Sequence, residues 1–352
     1  MIMTEGPGLI ALLGSGETAP SSGVVYDRLT ARAQAPLQVS ILETPAGFQP
    51  NSDRVAGKVA DFLRVRLQNL RPEVALLPAR ARGTIHSPDA PAASAAMLQS
   101  DLIFLGPGSP TYAARQLAGS LAWQRLQARH RHGAAVVTAS AATVAVGALA
   151  LPVYEIYKVG AELHWQPGLN LLAPYGLSVV FVPHWDNAEG GAELDTSRCY
   201  MGQGRYAQLV ALLPTGQTVV GIDEHTGLVL DLVAGRAEVL GRGGVTIMRG
   251  GVARVVPHKE GFDLGDLGPF HMIDAREGLP AEVWAETKRR PRAVPVAPTV
   301  PDEVLALVEE RQSARARRDW VAADVLRAQI AAVGWQVKDT PSRPIIEPLD
   351  RE

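Results

Sequence analysis

A serine with the surroundings of a nucleophile stands in the run Thr138-Ala-Ser140-Ala-Ala142-Thr143. The run follows an apolar stretch and precedes a helical pattern, so it predicts a strand-to-helix turn with small residues on both sides of Ser140. Such a turn is typical of a nucleophile elbow, whose usual pattern is G-x-S-x-G. Thr138 and Ala142 replace the two glycines. A second role for Ser140, as the N-cap of the following helix, stays open.

A histidine and several carboxylates are candidates to complete this site. His184 follows the apolar run 177–182 and suits a general base, because imidazole exchanges protons near neutral pH. The run Asp223-Glu224-His225 ends a later strand and offers a carboxylate to orient the imidazole. The residues alone leave the acid open. The competing carboxylates are Asp186, Glu189, Glu193 and Asp195.

Two glycine-rich turns follow predicted strands, where ligands of open parallel sheets bind. The run Gly14-Ser-Gly16-Glu17 is small enough for a close backbone approach, but it lacks the spacing of a dinucleotide fingerprint and the lysine of a P-loop. The run Gly106-Pro-Gly108-Ser-Pro opens a helix, so its N–H groups are suited to stabilise an oxyanion. For each turn, a plain structural connection is the alternative.

A metal centre is a further alternative, since His184, Asp186, Asp223 and His225 are all potential ligands. No pair of them has the helical His-x-x-x-His spacing, and none falls in a known metal-binding loop. We therefore expect neither a metal nor an organic cofactor.

The elements that position these residues follow an α/β pattern. Short apolar runs alternate with helical patterns at 55–70 and 111–130, which predicts a flavodoxin-like parallel sheet with helices on both faces. From Thr218 the pattern changes to short strands joined by turns, which predicts a small antiparallel β extension. The candidate buried strands of the sheet are residues 9–13, 37–42, 102–105, 134–138 and 177–182.

The predicted domain organisation has three parts. Residues 1–256 form the α/β domain, and residues 257–301 form an irregular segment that ends in a proline-rich linker. Residues 302–341 form a helical hairpin, with Asp302 at the first cap and Gly334 at the last.

Composition narrows the class of protein. The 352 residues are 47% hydrophobic, which allows a sizeable core, and a net charge of −2 gives no overall basic field for nucleic acid or acidic membranes. No run of about 18 uninterrupted apolar residues occurs, and the start lacks a basic leader, so we expect no membrane span and no signal peptide. Cys199 is the only cysteine, which excludes an internal disulfide and fits a cytoplasmic location.

Four segments resemble, in the right order, the serine peptidase family that contains α-aspartyl dipeptidase and cyanophycinase, a family related to class I glutamine amidotransferase domains. The resemblance covers about residues 8–250 and implies a peptide or amide substrate. The matching runs are Asp-Leu-Ile-Phe-Leu-Gly-Pro-Gly-Ser-Pro-Thr (101–111), Thr-Ala-Ser-Ala-Ala-Thr (138–143), Val-Pro-His-Trp (182–185) and Val-Gly-Ile-Asp-Glu-His-Thr-Gly-Leu (220–228).

This resemblance implies a role for each matching residue. Ser140 matches the nucleophile, His184 the general base and Glu224 the acid of a cyanophycinase-like triad. The backbone near Gly108 and Ala141 matches the oxyanion hole.

Substrate binding is implied for a second set of residues. Arg198 and Arg205 lie in a run similar to the family's arginine-rich segment and would hold a substrate carboxylate, with solvated surface charge as the alternative. Gly16 and Glu17, in the first glycine-rich turn, complete the candidate substrate-binding residues. The chain departs from the family in a long insert after His184, residues 186–194.

The tail resembles the C-terminal end of cysteinyl-tRNA synthetases. Because nothing of a synthetase catalytic domain is present, the resemblance does not imply aminoacylation. Its arginines predict contact of residues 302–341 with tRNA phosphates, and a hairpin that only packs against the main domain is the alternative. These arginines are Arg311, Arg315, Arg317, Arg318 and Arg327. The matching runs are Arg-Gln-Ser-Ala-Arg-Ala-Arg-Arg-Asp-Trp (311–320), Ala-Asp-Val-Leu-Arg (323–327) and Gly-Trp-Gln-Val-Lys-Asp-Thr-Pro (334–341).

Two functions of different class follow from the sequence. The leading hypothesis is a serine hydrolase of peptide or amide bonds, in its specific form an aspartyl dipeptidase-like or cyanophycinase-like peptidase. The alternative is a catalytically inactive binding module whose tail recruits tRNA or a translation partner. A cysteine-dependent amidotransferase is disfavoured, because the elbow residue is serine and Cys199 lies elsewhere. The oligomeric state is open, a homodimer included.

Overall fold

Alternating strands and helices build the first of two units into which the chain divides, Met1–Arg290 and Pro291–Glu352. The computed structural model describes residues 6–288, 300–339 and 344–349. The strands of the first unit are β1 (Ile10–Leu13), β2 (Gln38–Leu42), β3 (Glu73–Leu77), β4 (Leu102–Leu105), β5 (Ala135–Ala139), β6 (Leu149–Ala150), β7 (Gln166–Pro167), β8 (Val179–Val182), β9 (Thr218–Ile222), β10 (Thr226–Asp231), β11 (Arg236–Gly241), β12 (Val245–Arg249), β13 (Val252–Val256) and β14 (Gly261–Asp263). Its helices are α1 (Gly23–Thr30), α2 (Ser52–Arg66), α3 (Pro110–Leu117), α4 (Leu121–Arg131), α5 (Ala141–Ala145), α6 (Val153–Tyr157), α7 (Gly202–Ala211) and α8 (Ala281–Thr287).

The main sheet has eight strands in the order β14-β11-β10-β1-β5-β4-β2-β3. The five strands from β1 to β3 are parallel, and β10, β11 and β14 extend the sheet antiparallel beyond β1. The α/β fold with a parallel sheet and an antiparallel extension is therefore confirmed. The sequence patterns missed β3, an edge strand whose residues are mostly only half-buried.

A second sheet has four strands in the order β13-β12-β9-β8. Here β8 pairs parallel with β9, while β12 and β13 continue antiparallel. The run 177–182, expected in the main parallel sheet, therefore belongs to a separate sheet. Its complete burial is equally consistent with either position, which is why the apolar pattern did not distinguish them.

The two sheets share one hydrophobic core, and the alternation of side chains along β1 shows which face of the main sheet lies in it. Ile10 and Leu12 of β1 face one hydrophobic cluster, while Ala11 and Leu13 face another on the opposite side of the sheet. Phe181 of β8 reaches the first of these clusters from the second sheet. The two sheets therefore share a hydrophobic core on one side of β1.

The stretch from residue 257, expected to be irregular, contains β14 and α8 within the described part. Buried basic side chains of α4 bind this stretch: Arg125 pairs with Glu286 at 2.8 Å, and Arg129 donates to the carbonyl oxygen of Thr287 at 3.1 Å. The indole of Trp284 stacks on His132 with ring centroids 3.7 Å apart. These contacts need partners distant in sequence, so local periodicity could not indicate them. Most of the predicted proline-rich linker, residues 289–299, lies outside the described residues.

The second unit contains the predicted helical hairpin, formed by α9 (Asp302–Ala316) and α10 (Trp320–Ala332). A β-hairpin of β15 (Trp335–Lys338) and β16 (Ile345–Pro348) follows it. Buried Arg311 of α9 makes two hydrogen bonds, at 2.8 and 2.9 Å, to the carboxylate of Asp339 just beyond β15. In the ranges that the structure describes, no helix is long and apolar enough to cross a membrane.

A glycine in β9 tests the packing of the second sheet. A Cβ at Gly221 would lie 2.2 Å from Cδ2 of Trp185, the residue after His184. We expect Gly221→Ala to lower the free energy of unfolding by about 1–3 kcal/mol, because the buried indole must move. In the matched control Gly57→Ala, the new methyl group in α2 meets nothing within 4 Å, so stability should rise by about 0.5–1 kcal/mol. Urea unfolding measures both, and equal midpoints for the two variants would contradict the packing.

Candidate active site

Ser140 occupies the joint between β5 and α5 in a backbone conformation that few residues adopt. Its φ is 51° and its ψ is −112°, a combination that costs free energy for any residue with a Cβ and that persists only where the surroundings fix it. Ala139 and Ala141 on either side are buried, so the tight turn has no space for larger neighbours. The predicted elbow is therefore present as a strained strand-to-helix turn.

A pair of threonines holds the elbow where the usual pattern has a glycine. The Thr143 hydroxyl donates to the carbonyl oxygen of Leu13 at 3.0 Å, and because its only proton is then used, the Thr138 hydroxyl donates to Thr143 at 2.9 Å. The backbone N–H of Ser140 bonds the same Leu13 oxygen at 3.2 Å. The bulky Thr138 is thus accommodated as the first member of a buried hydrogen-bond chain that ties the elbow to β1.

His184 comes from the second sheet and meets Ser140 from the opposite side. It directly follows Pro183 at the end of β8 and has a φ of 51°. Its Nε2 lies 2.9 Å from the Ser140 Oγ. This is the separation that a serine and its general base require, so the fold brings together two residues 44 positions apart.

Glu224 lies in the connection between β9 and β10, where the chain passes from one sheet to the other. Its Oε1 lies 2.8 Å from Nδ1 of His184, so Nδ1 carries the proton and Nε2 is left to accept from Ser140. The bond from His184 lowers the pKa of Glu224, and a bond from Asn187 adds to this, while partial burial opposes both. An ionised carboxylate here orients the imidazole.

The other candidate acids have different partners. The Oδ2 of Asp223 accepts a hydrogen bond from the N–H of Gly244 at 2.8 Å, and burial raises the pKa of the Asp223 carboxyl. Asp195 accepts from Ser197 and Gln203. Asp186 accepts the N–H of Glu224 at 2.7 Å, and Glu189 accepts from the Tyr200 hydroxyl at 3.0 Å.

Asn187 is the residue of this site that sequence reasoning missed. It is only 3% exposed, and its Nδ2 donates to Oε1 of Glu224 at 3.0 Å. The only sequence signal was its place in the polar run after His184. That signal does not distinguish a buried donor from a solvated loop residue.

The two predicted oxyanion-hole residues stand at the starts of two helices that pack against each other, α3 and α5. Gly108 has a φ of 152°, and a Cβ there would lie 1.9 Å from the carbonyl oxygen of Pro45, so the position requires glycine. Ala141 is the first residue of α5, where backbone N–H groups have no partner within the helix. Within the described ranges, neither N–H has a hydrogen-bond acceptor.

The predicted substrate-binding arginines are engaged with the backbone. Arg198 stacks on the Trp185 indole at 4.0 Å and donates to the Trp185 carbonyl oxygen at 2.7 Å. Arg205 donates to the carbonyl oxygens of Met201 and Tyr200. These contacts support the segment after the insert, and binding of a substrate carboxylate stays a prediction.

The predicted residues Gly16 and Glu17 lie beside the β9–β10 connection. Gly16 has a φ of 71°, and a Cβ there would lie 2.3 Å from Nδ1 of His225. The carbonyl oxygen of Glu17 accepts from the Tyr26 hydroxyl at 2.9 Å. The first glycine-rich turn therefore packs against the residue next to Glu224.

The remaining chemical candidates do not form a second centre in the described part of the chain. No group of three or more His, Cys, Asp or Glu residues there has an arrangement that would hold a metal ion. Cys199 is buried, and burial together with the charge of Glu224 raises the pKa of its thiol to about 12. A thiol of this kind is a poor nucleophile at neutral pH.

Comparison with known proteins supports each unit separately. A crystal structure of a peptidase from an acI-B1 Actinobacterium is similar with a TM-score of 0.58 and 21% sequence identity, over 74% of this chain and 98% of that chain. This likeness shows the fold of the α/β unit.

Residues 297–344 match the family model described as the cysteinyl-tRNA ligase anticodon binding domain. Cysteine–tRNA ligase 1 of Burkholderia lata is 53% identical over 47 residues, 13% of this chain and 10% of that protein. The cysteine–tRNA ligase of Chlamydia abortus is 52% identical over 48 residues, 14% of this chain and 10% of that protein. The chain therefore spans about a tenth of the length of these relatives, and the predicted likeness of the tail is confirmed.

The threonine chain behind the elbow generates a prediction. We expect Thr143→Val to lower the free energy of unfolding by about 1–3 kcal/mol, because the Thr138 hydroxyl loses its buried acceptor and the Leu13 oxygen loses a donor. The double variant Thr138→Val/Thr143→Val should recover part of this loss, since one buried polar group is then removed. Chemical unfolding of the wild type, the two single variants Thr138→Val and Thr143→Val, and the double variant gives the comparison, and strictly additive losses would contradict the chain.

Proposed function

We propose that the α/β unit is a serine hydrolase of peptide or amide bonds. The observation that carries the proposal is the continuous hydrogen-bond chain from Ser140 through His184 to Glu224, with Ser140 in a strained elbow. Such backbone strain is retained where it serves a function. A solved structure that shares this fold is described as a peptidase, which agrees with the proposal.

The first half of the reaction forms an acyl-enzyme. Ser140 Oγ attacks the carbonyl carbon of the substrate while His184 Nε2 takes the hydroxyl proton, and Glu224 stabilises the resulting imidazolium. The N–H groups of Gly108 and Ala141 are the donors we assign to the negative oxygen of the tetrahedral intermediate. Collapse of the intermediate breaks the C–N bond, and His184 returns its proton to the leaving amine.

The second half regenerates the enzyme. A water molecule attacks the acyl carbon, His184 takes one of its protons, and the bond between the acyl carbon and Ser140 Oγ breaks. The Ser140 oxygen then recovers a proton from His184, and the carboxylic acid product leaves. Every proton transfer passes through His184, so the proposed steps use only side-chain and backbone groups of this chain and water.

An aspartyl dipeptidase-like or cyanophycinase-like specificity is the finer form of this proposal. The resemblance of the four segments supports it. Assays of Asp-X dipeptides and isoaspartyl dipeptides, beside neutral dipeptides of the same length, test it directly.

The nucleophile has a direct test. We expect Ser140→Ala to abolish labelling by a fluorophosphonate probe, because the probe bonds only to an activated serine oxygen. Ser178→Ala is the matched control, since Ser178 is exposed and bonds Gln217 away from the site, and it should label at the normal rate. Mass spectrometry of the labelled peptide identifies the position. Labelling of the Ser140→Ala variant would contradict the assignment, and a wild-type protein that does not label would favour the inactive binding module.

We propose a second, separate function for the tail, which is contact with tRNA. The observation that favours it is the match of residues 297–344 to an anticodon binding domain. Arg311 and Arg315 both pair with Asp339 and so stabilise the unit. Arg317, Arg318 and Arg327, by contrast, are exposed.

An exposed aromatic ring adds a means of contacting bases. Trp320 is 55% exposed at the start of α10, and the guanidinium of Arg315 lies 5.7 Å from its ring centroid. Aromatic rings beside cationic side chains are typical platforms for stacking unpaired bases. The turn between α9 and α10 is therefore the surface of this unit that we assign to RNA.

The RNA surface can be tested in the full chain. We expect Trp320→Ala to weaken binding of a tRNA-Cys transcript about 5-fold or more, because one stacked base loses its platform. Leu305→Ala is the matched control, since Leu305 is an exposed apolar residue at the other end of α9. Filter binding at several salt concentrations measures both variants. Equal affinities of wild type and Trp320→Ala would contradict the stacking role of Trp320. Absence of binding by all three proteins would contradict the proposed contact with tRNA.

A further inference from the structure

Glu224, the acid of the proposed triad, is held by hydrogen bonds to the residues that follow His184. Asn187 Nδ2 and His184 Nδ1 donate to the same oxygen of Glu224, Oε1, at 3.0 and 2.8 Å. The Oδ1 of Asp186 accepts the backbone N–H of Glu224 at 2.7 Å. One short segment, residues 184–187, therefore contacts Glu224 at three points.

The orientation of the Asn187 amide is determined by its own contacts. Its Oδ1 accepts the N–H of Glu189 at 3.2 Å, so Nδ2 is the end that faces Glu224. Its backbone N–H donates to the carbonyl oxygen of His184 at 3.3 Å, and the side chain is buried. The amide is thus held between the N–H of Glu189 and the carboxylate of Glu224.

We propose that Asn187 is a positioning residue for Glu224 and that through it the insert after His184 maintains the geometry of the triad. The inference rests on the proposed function. A glutamate has one more rotatable bond than an aspartate, so a single hydrogen bond to His184 leaves its carboxylate more freedom to turn. A second donor on Oε1, fixed by burial, removes that freedom and keeps the carboxylate facing Nδ1.

The same contact affects the charge of the site. The Asn187 bond helps to lower the pKa of Glu224, so its loss raises that pKa and delays ionisation of the acid. The other titratable groups whose charge couples to Glu224 are His184, His225, Cys199 and Tyr200. Asp186 bonds the backbone of Glu224, and its charge also stands beside Asp223.

The experiment measures the rate of fluorophosphonate labelling of the full chain against pH. Asn187→Leu removes the donor in a similar volume, and Asn187→Asp replaces it with a second negative charge. Asp195→Asn is the matched control, because Asp195 directly follows the same insert and accepts from Ser197 and Gln203 instead of contacting Glu224. Thermal melts of all four proteins establish that each is folded.

We expect Asn187→Leu to label about 10-fold more slowly near neutral pH, the effect of losing one hydrogen bond to a charged group. The acidic limb of its labelling rate against pH should move to higher pH, and that of Asn187→Asp should move further, because an added anion raises the pKa of Glu224 more than loss of a donor does. Asp195→Asn should keep the limb of the wild type.

Unchanged rates and limbs in both Asn187 variants, with wild type and Asp195→Asn labelling normally, would overturn the positioning role and leave the hydrolase intact. Slower labelling with the acidic limb of the pH profile at the wild-type position would mean that Asn187 only supports the fold. That result would also overturn the proposal. A wild-type protein that does not label at any pH would overturn the hydrolase, and the role of Asn187 with it.

Discussion

The connection between β9 and β10 is the constraint on which the site depends. At residues 223–226 the chain leaves the four-stranded sheet and enters the eight-stranded one, and it is fixed from both sides. A Cβ at Gly14, at the end of β1, would lie 2.1 Å from the carbonyl oxygen of Asp223, and the Gly14 N–H bonds Thr226. The second sheet holds the same connection through Gly244. Glu224 is therefore fixed between the end of β9 and the start of β10, where the two sheets meet.

Unfavourable backbone conformations are concentrated around this junction. Ser140 and His184, which meet across it, both have φ values near 51°, and Arg198, Cys199 and Tyr200 are three consecutive non-glycine residues in the left-handed region. Nearby groups bond this run: the Cys199 N–H donates to His184, and Arg205 donates to the Tyr200 carbonyl oxygen. These hydrogen bonds offset the backbone strain of residues 198–200, and the bond from Cys199 also holds His184. Arg205 therefore serves to bind this strained backbone.

The tail unit has its own small hydrophobic core and its own ion pair between a buried arginine and a carboxylate. Five buried apolar residues lie between the helices and the β-hairpin, and the buried guanidinium of Arg311 is neutralised by Asp339. Two of the five arginines that make the sequence look basic are therefore engaged within the unit. The arginines that stay exposed for contact with a polyanion are Arg317, Arg318 and Arg327, whereas the guanidinium beside the exposed ring of Trp320 belongs to the paired Arg315.

The sequence by itself determined what local patterns encode: the α/β class, the strand-to-helix turn at Ser140 between small residues, and the helical hairpin of the tail. It also indicated Ser140, His184 and Glu224 through four ordered segments. It did not determine that 177–182 joins a second sheet, because a fully buried strand has the same pattern in either. Nor could it select Glu224 over Asp223 by residue type, or reveal Asn187 and the Thr138–Thr143 pair. Those depend on which side chains meet across the junction, and contacts between residues far apart in the chain exist only once the two sheets have packed.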